Sequence, residues 1–211
     1  PPEEIKAEIA AIDLEFLKAD LIKLLTSMQV GTDRIREIVL SLRNFSRLDE
    51  AEFKKVNIHD GLDSTLMILQ NRLKAKPNHP EILVVKNYGN IPAVECYPGQ
   101  LNQVFMNILT NAIDALEINF GGEQRQIHIM TEVVHTNKVA IRIADNGLGI
   151  PEKARAKLFD PFFTTKDVGK GTGLGLSISY QIIVDKHGGN LYCNSIAGEG
   201  AEFVVEIPIQ Q

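Results

Sequence analysis

The sequence predicts an α+β fold, a two-layer sandwich in which a mixed, largely antiparallel sheet carries helices on one face, preceded by a long helical segment. The sheet is predicted from two hairpin candidates with alternating apolar residues, 126–134 with 138–144 and 190–195 with 201–208. The helices are predicted from apolar spacings of three and four in separate stretches of the chain. Strands that group apart from helices favour this layered arrangement.

The composition sets the broad class of protein. The chain has 211 residues, a net charge of −5, 44% hydrophobic and 23% charged residues, as in an ordinary globular protein. Because the chain is not basic, we expect no nucleic-acid partner and no contact with a membrane. Cys96 and Cys193 form no CxxC pair, which favours two reduced core thiols in a cytoplasmic protein. The chain begins with Pro1, so we expect a piece of a longer protein.

A helical segment is predicted over residues 1–54. Its seam positions recur every three or four residues, with one glycine among them: Leu21, Leu24, Met28, Gly31, Ile35, Ile38, Leu42 and Phe45. A helix with such a seam packs either on its own domain or along other helices of a bundle. The length and regularity of this seam favour the bundle.

The second segment, residues 55–211, holds the remaining elements. Its first helix ends before Pro77 and Pro80, which break the helical spacing. Beside the two hairpin candidates, short strands are expected at 82–88 and 93–96, and helices at 59–74, 99–118 and 173–186.

A line of polar side chains marks one face of the 99–118 helix, which is otherwise strongly apolar. Its members are spaced by three or four residues: Gln103, Asn107, Asn111 and Asp114. An unpaired buried amide costs about 1–3 kcal/mol, so these groups need partners. They either bond neighbouring backbone or face a ligand, and the helix alone favours neither interpretation.

Two glycine clusters flank a DPFFTTK segment, Gly147 with Gly149 before it and a second cluster at 169–175 after it. Glycine permits positive φ and close backbone approach, so such clusters can wrap N–H groups around phosphates. The second cluster leads into the 173–186 helix, whose N-terminus favours an anion. Either cluster alone is more typical of a tight turn.

Four motifs in this order make a specific pattern: NILTNAIDA at 107–115, DNGLGI at 145–150, DPFFTTK at 160–166 and GTGLGL at 171–176. Over residues 55–211 the chain resembles the ATP-binding domain of the sensor histidine kinases of two-component systems, most closely the nitrogen-regulator type. The wider superfamily includes gyrase, the large heat-shock chaperones and mismatch-repair ATPases. The resemblance implies the sandwich fold of that superfamily, with ATP and Mg²⁺ as cofactors.

The resemblance also implies roles at the base and the metal. Asn111 is expected to hold Mg²⁺ through its amide oxygen, and Asn107 to assist at the same site. Asp145 is expected to accept a hydrogen bond from the adenine amine. Gly147 and Gly149 are expected to keep the floor of the site close to the base.

The implied roles continue along the loop that follows. Phe159 and Phe162 are expected to anchor a mobile lid, while Lys166 and Lys170 are candidates to neutralise the γ-phosphate. Backbone N–H groups and one hydroxyl are expected to reach the phosphates from the last motif: Gly171, Thr172, Gly173, Leu174 and Gly175. Such positioning and charge neutralisation are the main demands of phosphoryl transfer.

One position departs from the pattern of the family. Many relatives place a Lys or Arg three residues after the metal-site asparagine, where it contacts phosphate, and here that residue is Asp114. A carboxylate there would repel phosphate unless it faces water or Mg²⁺. We therefore assign Asp114 no role from the sequence.

The residue at position 107 separates two chemistries. The ATPase members carry a glutamate there as general base for water, and the amide of Asn107 cannot take a proton. The resemblance therefore favours phosphoryl transfer to a histidine on the first helix of a dimeric four-helix bundle. None of the five histidines of this chain is expected on such a helix: His59, His79, His128, His135 and His187. We therefore expect the phosphoacceptor histidine on a helix upstream of this chain.

The segment 1–54 resembles the second helix of the dimerisation and phosphotransfer hairpin of that family. The implied partners are a second copy of the full-length protein, bound through this segment, and the receiver domain of a response regulator. Two other interpretations stay open. One is a protein serine kinase of the anti-sigma-factor type, and the other is a non-catalytic dimerisation module with a degenerate nucleotide fold.

Overall fold

The structure is a computed structural model. It describes residues 3, 16–18, 20–29, 31–32, 52–75, 80–118, 124–135, 137–166 and 173–210. The chain divides into two compact units, residues 1–40 and 41–211. No helix in the described ranges is long and apolar enough to cross a bilayer.

In the first unit every described residue is helical. The seam side chains Leu21, Leu24 and Met28 are 57%, 54% and 67% exposed, so apolar surface lies open along this helix. The later seam positions, from Ile35 to Phe45, lie outside the described residues.

The second unit is built on a five-stranded sheet with helices on one face. Its elements are β1 Lys54–Val56, α1 Ile58–Leu73, β2 Ile82–Tyr88, β3 Val94–Cys96, α2 Pro98–Glu117, β4 Arg125–Val134, β5 Lys138–Asp145, α3 Glu152–Arg155, α4 Gly175–Tyr180, β6 Asn190–Ile196 and β7 Gly200–Pro208. The strand order is β2-β4-β5-β7-β6, and β1 pairs with β3 separately. Only the β2–β4 pair of the large sheet is parallel, which confirms the predicted mixed, largely antiparallel sheet.

The alternation of β4 and β5 explains the two layers. Ile127 and Ile129 are fully buried in the core with the helices. The opposite face carries polar groups, where Arg142 pairs with Glu132 at 3.0 Å and with Glu202 at 3.6 Å. A strand places alternate side chains on opposite faces, so the same sequence supplies both the core and the solvated surface.

Helix α2 is the central helix of the helical layer. It begins with Pro98, whose fixed φ and missing N–H suit the first turn of a helix. Phe105, Ile108 and Leu109 are fully buried on its core side. The polar residues Asn107 and Asn111 are half-buried, so they lie at the edge of the core.

The predicted helix 173–186 differs from the structure in its geometry. Only α4 is α-helical, and a π-helix continues it over Gln181–Lys186. His187 follows, completely buried, with Nδ1 2.7 Å from the carbonyl of Ile182 and Nε2 accepting the N–H of Tyr97 at 3.0 Å. These partners place the proton on Nδ1, and burial lowers the pKa of the imidazole.

Candidate nucleotide site

On the polar face of α2, Asn107 connects this helix to α4. Its Nδ2 donates to the carbonyl of Gly175 at 2.9 Å and to the hydroxyl of Ser179 at 3.1 Å. An added Cβ at Gly175 would lie 3.4 Å from the Asn107 carboxamide, at ordinary contact distance. This amide therefore bonds a neighbouring element, the first of the two interpretations that the sequence left open.

Further along α2 lies an ion-pair cluster formed by Arg72, Asn111, Asp114, Glu117 and Lys166. Asn111 Oδ1 accepts a hydrogen bond from Lys166 Nζ at 3.2 Å, and the same ammonium forms a close ion pair with Asp114 Oδ2. Asp114 Oδ1 accepts from Arg72 Nη2 at 2.6 Å. Three separate parts of the chain, α1, α2 and the DPFFTTK segment, therefore meet at this cluster.

Arg72 is fixed within the cluster by a second carboxylate. Its Nη2 and Nε donate to the two oxygens of Glu117 at 2.6 and 3.3 Å. The side chains of Arg72 and Asp114 are 31% and 27% exposed, so water screens the pair only in part. The two cations balance the two carboxylates, which leaves the cluster without a net charge.

Asp145 ends β5 with a carboxylate that is largely buried. The residue is 7% exposed, and Oδ1 accepts the N–H of Gly147 at 2.9 Å. Burial raises the pKa of Asp145 to about 6, although the N–H groups of Gly147 and Ala201 oppose the shift. Such a group is suited to accept a hydrogen bond from a ligand amine in a site that excludes water.

Gly147 holds this carboxylate close to α2. A Cβ at Gly147 would lie 2.7 Å from Asp145 Oδ1 and 3.1 Å from the Cβ of Ala115. Any larger residue at this position would have to displace the Asp145 carboxylate and move against Ala115 of α2, because the strand end and the helix pack directly against each other there.

Gly149 lies against the β6–β7 turn. It has a φ of +66°, and an added Cβ would overlap the carbonyl of Ile196. The N–H of Gly198 donates to the carbonyl of Leu148 at 2.7 Å, and Ser195 Oγ accepts the N–H of Ile150 at 2.8 Å. The turn therefore fixes the backbone of the DNGLGI segment from outside the site.

The two phenylalanines expected to anchor the lid differ in their surroundings. Phe159 is half-buried, with its ring centroid 5.3 Å from that of Tyr180 in α4. The ring of Phe162 is 75% exposed, and the residue has a φ of +65°. Its backbone packs so closely on Gly173 that a Cβ at Gly173 would overlap it. Among the described residues, the close contact of Phe162 is made by its backbone with Gly173.

The remaining residues of the last motif are described only in part. Lys170, Gly171 and Thr172 lie outside the described residues. Leu174 precedes α4, and its carbonyl accepts from Ser177 Oγ at 2.9 Å. Gly175 begins α4 and contacts Asn107, as described above.

Sequence reasoning missed two contributors to this site. Arg72 is a cation in the last turn of α1, an ordinary helix-terminal residue that carries no sign of a partner 42 positions away. The hydroxyl of Ser195 and the turn glycines contact the backbone at the end of β5 and in the DNGLGI segment. For these a signal existed, because the GEG sequence at 198–200 interrupts a hairpin with two glycines at positive φ.

Comparison with known proteins agrees with this geometry. Residues 96–211 match the model of a family described as histidine kinase-, DNA gyrase B-, and HSP90-like ATPase. The match covers more than half of the chain. The chain belongs to this family.

Individual relatives narrow the relationship. Sporulation kinase E of Bacillus subtilis is 39% identical over 122 residues, 58% of this chain and 15% of that protein. The signal transduction histidine-protein kinase AtoS of Escherichia coli is 33% identical over 178 residues, 84% of this chain and 27% of that protein. The chain thus spans about a quarter or less of the curated relatives it matches here.

Two solved structures of one histidine kinase, ThkA, share the fold. The catalytic domain of ThkA is 32% identical with a TM-score of 0.61, covering 76% of this chain and 99% of that chain. ThkA in complex with the response regulator protein TrrA is 27% identical with a TM-score of 0.59, covering 98% of this chain and 59% of that chain. These findings confirm the predicted fold class and show that the chain contains the ATP-binding catalytic domain of a histidine kinase.

Proposed function

We propose that this domain transfers the γ-phosphoryl group of Mg·ATP to a histidine of a phosphotransfer helix, for relay to a response regulator. Asp145 would accept the adenine amine, Asn111 would hold the metal, and Lys166 would neutralise the γ-phosphate. The closely packed Gly147 supports a flat floor beneath the base. Lys170 and the backbone of residues 171–175 would contact the phosphates.

The observation that carries this proposal is the state of Asn107. The two hydrogen bonds described above use its amide nitrogen, which is directed to Gly175 and Ser179. A general base for water needs a lone pair that can accept a proton, and a carboxamide tied to a helix has none of adequate basicity. The site therefore favours transfer to an external nucleophile over hydrolysis.

The chain's own residues fit a magnesium ion that ATP brings with it. Asn111 Oδ1 already accepts a cation, the Lys166 ammonium. Among the described residues no three His, Cys, Asp or Glu side chains form a metal cluster. Magnesium is commonly held by one or two protein oxygens together with substrate phosphates, and Asn111 offers one such oxygen. When bound, the ion would neutralise charge on the phosphates.

Two of the described histidines, His59 and His187, are held by contacts within the domain. His59 stacks on Tyr88 with ring centroids 4.3 Å apart and bonds Thr131 Oγ1 at 2.9 Å. His187 is buried, as described above. This supports an acceptor histidine that is not one of these. His79 lies outside the described residues.

The division at residue 54 belongs to the same proposal. Residues 1–54 would form the dimerisation and phosphotransfer segment, and residues 55–211 the ATP-binding domain. Exposed Leu21, Leu24 and Met28 support a homodimer through this segment, because an apolar stripe of this kind favours a partner helix. The response regulator is proposed from the ThkA–TrrA complex, and the cytoplasm from the use of ATP.

A labelling experiment tests the function. The 211-residue chain is incubated with Mg²⁺ and γ-labelled ATP, alone and with a purified histidine phosphotransfer hairpin. We expect ATP-dependent thermal stabilisation, little phosphate release and acid-labile label on the added hairpin only. The variant Asn111→Ala should lose both stabilisation and transfer.

Three results would contradict the proposal. Label on histidines of the chain itself would place the acceptor inside it. Acid-stable label on a serine target would indicate a serine kinase. Absence of any ATP-dependent stabilisation would indicate a nucleotide fold that no longer binds its ligand.

A further inference from the structure

We propose that Asp114 is a positioning residue for Lys166. Held by Arg72, its carboxylate keeps the Lys166 ammonium on the Asn111 amide oxygen in the absence of nucleotide. When Mg·ATP takes that oxygen, Asp114 keeps Lys166 close enough to reach the γ-phosphate. This inference rests on the proposed function and gives a role to the one motif position that departs from the family pattern.

The geometry makes Asp114 the centre of the cluster. One of its oxygens accepts from Arg72 and the other pairs with Lys166. Glu117 holds Arg72 through two hydrogen bonds, one of them from the same Nη2 that donates to Asp114. The rigid fork of the guanidinium is thereby oriented by Glu117, and Asp114, bonded on both oxygens, is held between this restrained cation and Lys166.

The charges weaken the objection that an acid here would repel phosphate. Arg72 donates to both Asp114 and Glu117, so Asp114 keeps a cationic partner when Lys166 moves to a phosphate oxygen. The cluster then carries one net negative charge, shared between two carboxylates that a guanidinium holds. Many relatives place a cation on α2 itself. Here Arg72 of α1 is the cation that stays with the Asp114 carboxylate, and Lys166 of the DPFFTTK segment is the cation that moves.

Lys166 is suited to the exchange. Its ammonium is a compact charge with three donors on a flexible stem, whereas Arg72 is restrained by its two carboxylates. Its side chain is 35% exposed, so it can move without opening the core. Its bond to Asn111 Oδ1 at 3.2 Å places a positive charge at the oxygen proposed for the metal, and the repulsion between two cations there favours release of the ammonium when the ion binds.

The pair Asp63 and Lys86 provides a matched control. It is also a carboxylate–ammonium pair, at 2.7 Å, with its carboxylate on α1, and Asp63 also accepts a second bond, from Tyr88 at 2.9 Å. Neither residue belongs to the ion-pair cluster. Asp63→Asn therefore removes the same kind of interaction without touching the site.

Isothermal titration with MgATP and with MgADP tests the inference on the whole chain. The variants are Asp114→Asn, Lys166→Met, their double variant and Asp63→Asn. Loss of one charge-assisted hydrogen bond should weaken MgATP binding by about tenfold in Lys166→Met and leave MgADP within about twofold. Asp114→Asn should lose the same preference for ATP although Lys166 is present, and the double variant should bind no more weakly than Lys166→Met.

The nucleotide-free protein gives a second readout. In ¹⁵N spectra the side-chain amide of Asn111 should shift in both Lys166→Met and Asp114→Asn, and stay unchanged in Asp63→Asn. If Asp114→Asn does not fold, Asp114→Glu replaces it. This variant keeps the charge and displaces the carboxylate, so it should retain part of the ATP preference.

The outcomes separate the two proposals. If the wild type binds MgATP but Asp114→Asn keeps its ATP preference, or if its effect adds to that of Lys166→Met, the positioning role is wrong and the proposed function stands. An Asn111 amide that shifts only in Lys166→Met leads to the same conclusion. If the wild type binds neither nucleotide, the proposed function is wrong and the inference falls with it.

Discussion

The two ends of the site are stabilised in different ways. At the base end, Asp145, Gly147 and Gly149 are fixed by backbone contacts with α2 and the β6–β7 turn. At the other end, the ion-pair cluster is held by long side chains that are about one-third exposed. At the base end, close packing permits a single backbone arrangement, whereas in the ion-pair cluster the charged side chains can exchange hydrogen-bond partners.

This difference matches what each end must bind in the proposed function. Adenine is neutral and flat, so a preformed floor and one buried acceptor suffice to select it. The phosphates and their metal carry charge that changes during transfer, and protein charges on flexible stems can follow it. Substitutions at the base end should therefore change stability most, and those at the cluster should change binding more than stability.

The largest effect is expected from Gly200→Ala in the β6–β7 turn. Gly200 has a φ of +100°, and an added Cβ would overlap the carbonyl of Asp145. Because that oxygen is backbone, the turn or the end of β5 must move, and we expect a loss of about 4 kcal/mol or more in the free energy of unfolding. Urea denaturation followed by circular dichroism measures it.

Gly198→Ala is the matched control in the same turn. Gly198 also has a positive φ, +89°, but a Cβ there would meet no atom within 4 Å among the described residues. Only the backbone strain remains, so about 1–2 kcal/mol is expected. Equal losses in the two variants would show that the turn does not press on the base end.

The next effect is expected from Asp145→Asn and depends on pH. The pKa of Asp145 is raised from 3.8 to about 6, so above pH 6 both states are ionised and the native state buries a charge that the unfolded state exposes to water. Two pKa units correspond to about 3 kcal/mol, an upper bound for the cost of this charge. The variant should be more stable than the wild type at pH 7.5, and the difference should vanish as the pH falls through 6 towards 3.8.

The same variant should bind ATP more weakly, because the charged acceptor for the adenine amine is lost. Stability by urea titration at several pH values and affinity by calorimetry should therefore move in opposite directions at pH 7.5. A variant that is less stable than the wild type at pH 7.5 would mean that the hydrogen bond from Gly147 outweighs the cost of burial.

Much of the second unit could be predicted from local pattern. The strands β4 and β5 follow from the alternation that buries Ile127 and Ile129, and the helix α2 follows from its apolar spacing and Pro98. The one parallel pair, β2 with β4, has no such signature, because strand direction depends on the path of the chain between the strands. The π-helix over Gln181–Lys186 likewise has no signature in the composition of that stretch.

At the site, motif spacing indicated which residues would lie near one another, but not which hydrogen-bond partner each would have. Asn107 and Asn111 share one face of α2, as predicted, yet one bonds α4 and the other a lysine. The contact between Arg72 and Asp114 joins two helices and leaves no periodic signal in either. The sequence shows that Asp114 departs from the family pattern. Only the fold shows that Arg72 is the cation that balances its charge.

Arg72→Met tests the restrained part of the cluster. It leaves Asp114 and Glu117 without their shared guanidinium, and since these groups are partly exposed we expect a loss of about 1 kcal/mol in stability. MgATP affinity should fall more clearly, because the Asp114 carboxylate then faces the phosphates with one cation fewer. The double variant Arg72→Met/Asp114→Asn should bind MgATP as Asp114→Asn does, because Arg72 acts through Asp114. If the double variant binds more weakly than Asp114→Asn, Arg72 contacts the nucleotide itself.

The smallest effect on stability is expected from Lys166→Met in the nucleotide-free protein. A pair formed by a 35% exposed lysine is worth under about 0.5 kcal/mol, and added salt should reduce even that. Thermal unfolding at low and high ionic strength measures it. A loss above 1 kcal/mol would show that the DPFFTTK segment is fastened to α2 as firmly as the base end is to its turn. Lys166 would then be too costly to release, and the contrast between a fixed base end and an exchangeable cluster would no longer hold.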